Sequence, residues 1–128
     1  MGFPMKPVRA RPAALIGLAL VIATGGCGGR EHATVTKGKL DLTMREYRLI
    51  PQRVDARAGP LRITIRNGGV IAHRLAVGRG RFAVGRAATV FPGSSTTLTL
   101  RLPPGRYRMF CALSNHDTLG MYGSLVVH

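Results

Sequence analysis

The sequence predicts an all-β domain, a Greek-key β-sandwich, placed behind an N-terminal export signal. Two observations predict the sandwich: apolar residues alternate with polar ones over short runs, and clusters of Gly, Pro and Asn separate those runs. A third observation sets the leader apart, because an apolar run of 11 residues preceded by basic residues stands near the start of the 128-residue chain.

The leader comes first. Lys6, Arg9 and Arg11 occur without any acid, and residues 13–23 (AALIGLALVIA) follow as an unbroken apolar stretch. That stretch is too short to cross a bilayer as a helix, which takes about 20 residues. A basic start, a short apolar run and then small residues make up the layout of a secretory signal peptide. The small residues are Thr24, Gly25 and Gly26, and Cys27 comes next. The run therefore resembles a bacterial lipoprotein signal, in which that cysteine is lipid-modified and becomes the new N-terminus; Thr24 stands where such signals prefer Leu. The expected division is a signal peptide over 1–26, a lipidated Cys27 with a flexible tether over 27–36, and a folded domain over 37–128. The tether assignment rests on the Gly-rich polar sequence GGREHATVT. The domain is then exported and lipid-anchored to the outer face of the cytoplasmic membrane.

Within the domain, Leu40, Leu42 and Met44 alternate with Asp41 and Thr43. Leu61, Ile63 and Ile65 alternate with Arg62, Thr64 and Arg66, and Leu98, Leu100 and Leu102 with Thr99 and Arg101. A period of two with one polar face means half-buried strands. Ala58-Gly59-Pro60, Asn67-Gly68-Gly69, Pro92-Gly93 and Pro103-Pro104-Gly105 supply turns between them. No long stretch keeps a helical period, although residues 81–89 are expected as a short helix or an irregular loop. Short strands at this spacing read as a sandwich.

Cysteine usage narrows the chemistry. Export permits disulfides, but downstream of Cys27 the only cysteine is Cys111. An unpaired thiol in an oxidising compartment is protected when a soft metal occupies the sulfur. Without the three basic residues of the leader, 16 Lys and Arg face 5 Asp and Glu, a net charge of +11. Arginines scattered on alternating strand positions of an exported domain argue against nucleic acid and toward anionic lipid or an acidic partner protein.

The last 23 residues carry the chemistry. Tyr107, Met109 and Cys111 share one face of a strand, so the thiol is aimed inward at its end. Ser114, Asn115, Asp117 and Gly120 then break the pattern into a loop holding His116 and Met121, and a strand resumes at Leu125. One loop thus offers thiolate, imidazole and thioether. With a second imidazole this is the set of a mononuclear blue-copper site, two His and a Cys with a weak axial Met. His73, after the Asn-Gly-Gly turn, is the natural second imidazole, since the domain otherwise offers only the terminal His128.

These segments resemble the cupredoxins, the small type 1 copper proteins. The resemblance rests on residues 61–77, on the turn at 104–107 and on the Cys-x4-His-x4-Met loop at 111–121, and it covers 40–128. The loop spacing is most similar to the rusticyanin and sulfocyanin branch. The resemblance implies one copper ion cycling between Cu(I) and Cu(II), held by His73 and His116 through Nδ1, by the Cys111 thiolate and axially by Met121. It further implies a monomeric single-electron carrier rather than an enzyme, with redox partner proteins and with His116 as the electron port. Val70, Ile71, Leu113 and Leu119 are then candidates for an apolar patch around that port. Arg74, beside His73, departs from the small polar residue common in the family. A copper chaperone or storage protein is the alternative; Cys111 speaks against it, because such proteins favour Met-rich or His-Met sets. A copper oxidase or reductase would need further histidines for a second centre.

Overall fold

Alternation along the strands separates a buried face from a wet one. In a computed structural model, which describes residue 2 and residues 31–80 and 82–128, Leu40, Leu42 and Met44 are buried, and so are Leu61, Ile63 and Ile65. The leader, Cys27 and the first residues of the expected tether lie outside the described residues.

Ten strands appear among the described residues: β1 (His32–Val35), β2 (Lys39–Arg45), β3 (Arg48–Ile50), β4 (Arg53–Ala56), β5 (Gly59–Asn67), β6 (Leu75–Arg79), β7 (Phe82–Arg86), β8 (Ser95–Leu102), β9 (Gly105–Cys111) and β10 (Tyr122–Val127). They form a six-stranded sheet, β1-β4-β10-β9-β6-β7, and a four-stranded sheet, β3-β2-β5-β8. Pairing is mixed. β1 and β10 flank β4 in parallel, and β2 runs parallel to β5, while the other neighbours are antiparallel. The core lies between the sheets, with Ile63, Ile65, Leu75, Met109 and Leu125 fully enclosed. Each such side chain stabilises the fold by about 1.5–3 kcal/mol relative to exposure, so a domain without Trp or a disulfide depends on continuous packing here.

Two turns show what their residues supply. Gly38 leads into β2 at φ 65°, and a Cβ there would meet the Pro60 carbonyl oxygen at 2.5 Å, so no side chain fits. The Tyr107 hydroxyl donates to the Pro103 carbonyl at 2.8 Å and pins the turn before β9.

Two expectations change. Residues 82–86 form edge strand β7, not a helix or loop; it pairs with β6 across a register shift at Val77/Gly78. Four of its five residues are exposed, so it carries no alternation to read. The tether expected over 27–36 also overlaps β1, whose Val35 is buried in the core. Among the described residues no helix is long and apolar enough to cross a membrane.

Candidate metal centre

Antiparallel pairing delivers Cys111 to one end of the six-stranded sheet. β9 pairs with β6 so that Cys111 faces Leu75. The Ala112 N–H donates to the Arg74 carbonyl at 2.8 Å, which ties the end of β9 to the residue after His73. His73 is held independently by a two-way bridge with Val90: its N–H donates to Val90 O at 3.0 Å, and Val90 N–H donates to His73 O at 2.8 Å.

The loop after Cys111 folds back on that end. His116 N–H donates to Leu113 O at 3.3 Å, Met121 N–H to His116 O at 3.0 Å, and Gly120 N–H to Asp117 O at 3.2 Å. Gly120 sits at φ 108°, a backbone state that favours glycine.

These paths bring His73, Cys111 and His116 together, with one ligand atom from each lying within 4.8 Å of the others. The Cys111 sulfur is 3.9 Å from His73 Nδ1 and 3.4 Å from His116 Nδ1. Bonds of about 2.0 Å to nitrogen and 2.3 Å to sulfur around one first-row metal ion give N···S edges of roughly 3.5–3.7 Å, so the two edges bracket what a shared ion requires. His73 and Cys111 are buried and His116 is half-buried. The two imidazoles meet edge to face, with centroids 5.4 Å apart. Met121 is fully buried and is tied to this end of the sheet through its main chain, its carbonyl accepting from Cys111 N–H at 3.0 Å. A cysteine sulfur and two imidazoles form a donor set suited to copper and poorly suited to magnesium or calcium.

Three residues around this centre were not read from the sequence. Buried Asn67 donates its amide N–H groups to Ile71 O at 2.8 Å and Val90 O at 2.9 Å, and its amide oxygen accepts from Gly69 N–H at 2.9 Å. The Asn-Gly-Gly turn was the visible signal for it; the partner at Val90 was not. Glu46, from the turn between β2 and β3, accepts from Val70 N–H at 2.6 Å and Ile71 N–H at 3.2 Å. Its Oε1 also lies 3.7 Å from His73 Nε2. The adjacent Tyr47 stands edge-on to His116, with centroids 5.6 Å apart at 80°. Neither residue carries a local motif, because both reach the centre from the opposite sheet.

Burial pushes the His73 imidazolium below its ordinary value, and His116 beside it adds to the shift; Glu46 acts in the opposite sense. The Glu46 carboxyl is held below its ordinary value, first by the Val70 N–H. Arg74 donates from Nε and Nη2 to Thr89 Oγ1 at 3.1 and 2.7 Å. Of the four patch candidates, Val70 is 81% exposed and Leu119 51%, Ile71 is half-buried, and Leu113 packs against the core.

Residues 13–127 match the family model of the cupredoxin-like domain. No curated protein matches the chain. Among solved structures, dithionite-reduced auracyanin from Roseiflexus castenholzii is similar at 17% identity and a TM-score of 0.68, over 73% of this chain and 98% of that one. Auracyanin A from Chloroflexus aurantiacus, described as a "blue" copper protein, aligns at 16% identity and 0.64, over 75% and 100%. Rusticyanin from Thiobacillus ferrooxidans aligns at 16% identity and 0.63, over 82% and 86%.

Proposed function

Because this chain belongs to the cupredoxin-like family, we propose that it is an exported, membrane-tethered type 1 copper protein that carries single electrons between partner proteins. The observation that carries this reading is the buried Cys111 sulfur, with the Nδ1 atoms of His73 and His116 at 3.9 and 3.4 Å. His73, Cys111 and His116 would hold one copper ion, with Met121 as the axial donor. When bound, that ion supplies a one-electron couple.

What the chain's own residues do is hold still. His73 is locked by Val90, the loop donors are joined to one another by backbone hydrogen bonds, Asn67 fixes Val90 and the loop before His73, and the Ala112 N–H to Arg74 O bond ties the two regions together. A donor set fixed before electron arrival needs little rearrangement to accept either charge state. His116 is the half-buried member and so the exit toward a partner, with Val70 and Leu119 as the apolar surface of the loops beside it. The positive charge of the exported portion favours an acidic partner protein and anionic lipid. Cys27 is the proposed lipid attachment point, and a monomeric carrier, not an enzyme, is the proposed working form.

The test is a visible spectrum of residues 28–128 loaded with Cu(II), beside Cys111→Ser. An intense thiolate-to-copper band that bleaches reversibly with reductant and is missing from the serine variant is the expected result. Tight Cu(I) binding without that band would shift the reading to a copper chaperone or storage protein.

A further inference from the structure

The buried Nε2 of His73 has no hydrogen-bond partner, although a buried ring nitrogen without one is costly. The ring's other nitrogen faces the Cys111 sulfur, so a neutral His73 that presents its Nδ1 lone pair to a metal must carry its proton on Nε2. The group facing Nε2 is Glu46 Oε1, at 3.7 Å. That distance is beyond a hydrogen bond but close enough for the carboxylate charge to favour an N–H dipole aimed at it.

Glu46 is placed there by its surroundings. Its Oε1 is gripped by the N–H groups of Val70 and Ile71, the loop that leads into His73. Gly69 leaves the necessary space, since a Cβ at that position would overlap the Glu46 carboxylate. Three consecutive residues of one loop thus accommodate a carboxylate delivered from the other sheet, and the carboxylate points at the ring nitrogen that the loop's own histidine leaves unpaired.

We propose that Glu46 is a positioning residue for the metal centre: its carboxylate selects the Nε2–H tautomer of His73 and raises electron density on the ring, which favours Cu(II) over Cu(I). Carboxylates behind metal-bound imidazoles act in this way generally, orienting the ring and raising its basicity. This deepens the copper reading above and rests on it for the redox half of the claim. Tyr47, next in sequence, abuts the second imidazole, so a single turn supports both rings.

The test separates charge from loop capping. Glu46→Gln keeps a side-chain oxygen for the Val70 and Ile71 N–H groups but removes the charge. Its thermal melt and the exchange protection of those two amides should match the unaltered protein. In the copper-loaded form, the ratio of Cu(II) to Cu(I) affinity should fall about tenfold, a rise of about 59 mV in potential. An unchanged potential in a folded Glu46→Gln protein overturns the redox claim and leaves Glu46 as a loop cap. The second measurement needs no copper: imidazole nitrogen NMR of the metal-free protein at pH 8 should show His73 in the Nε2–H form, and Glu46→Ala should shift it to a mixture of tautomers. An unchanged tautomer in Glu46→Ala overturns the positioning claim. Failure of the unaltered protein to bind copper would instead sink the copper reading, and the tautomer comparison would still decide the role of Glu46.

Discussion

The peptide N–H of Cys111 donates to the carbonyl of Met121 at 3.0 Å, so the first and last candidate donors of the loop are joined through the main chain. Met121 N–H in turn reaches His116 O, also at 3.0 Å. Replacing the Met121 side chain leaves both bonds intact. Met121→Gln is therefore expected to keep the fold and the thiolate-to-copper band while lowering the potential, because a harder oxygen donor favours Cu(II); Met121→Leu should raise it. Voltammetry of the two variants checks the order. Loss of colour in both would mean that the thioether is required to hold the ion.

Asn67 joins β5, the loop before His73 and the strand partner of His73 in one buried network. Asn67→Ala removes three hydrogen bonds and is expected to cost roughly 2–4 kcal/mol, read by urea denaturation, together with at least a tenfold loss of copper affinity. Asn67→Asp should be worse than Ala, because an oxygen would then face the carbonyls of both Ile71 and Val90. A smaller loss for Asp than for Ala would contradict the network.

For metal-free protein, the lowered value of His73 fixes the direction of a pH effect. The folded state resists protonation there, whereas the unfolded state takes up a proton near the ordinary value of 6.5. Below that pH the unfolded state binds more protons, so stability should fall as pH drops from 8 toward 5. Denaturant melts across this range test it, with His73→Asn expected to flatten the trend.

Asp55 gives a second window with the same sign. Side-chain hydrogen bonds, first from His128 and then from His32, hold its carboxyl below the ordinary 3.8. Its contribution is present above that value and is lost as pH falls through the lower folded value. The group is partly exposed and solvent-screened, so the effect should be small. Melts from pH 5 to 2.5 should show an acid-side loss that Asp55→Asn lacks.

The cluster of His73, Cys111 and His116 was legible because chemistry fixes the residue types and two of the three share one short loop, while His73 follows the Asn-Gly-Gly turn. Strands β2, β5, β8 and β9 were legible because each has one wet and one buried face. β7 was not, since an exposed edge strand has no pattern to show. Glu46 and Tyr47 were invisible for another reason. Glu46 lies 24 residues from Val70 in sequence, and its meaning appears only when β2 lies beside β5 and carries the following turn to the loop before His73.

Strand β1 bears on where the folded domain begins. It lies along β4 over four residues and occupies the backbone groups that β4 would otherwise present at the border of the sheet. A version begun at Lys37, where the alternating pattern starts, would lose that ladder together with the buried Val35 and move the border of the sheet one strand inward. The segment that looks like a leash is therefore also part of the fold.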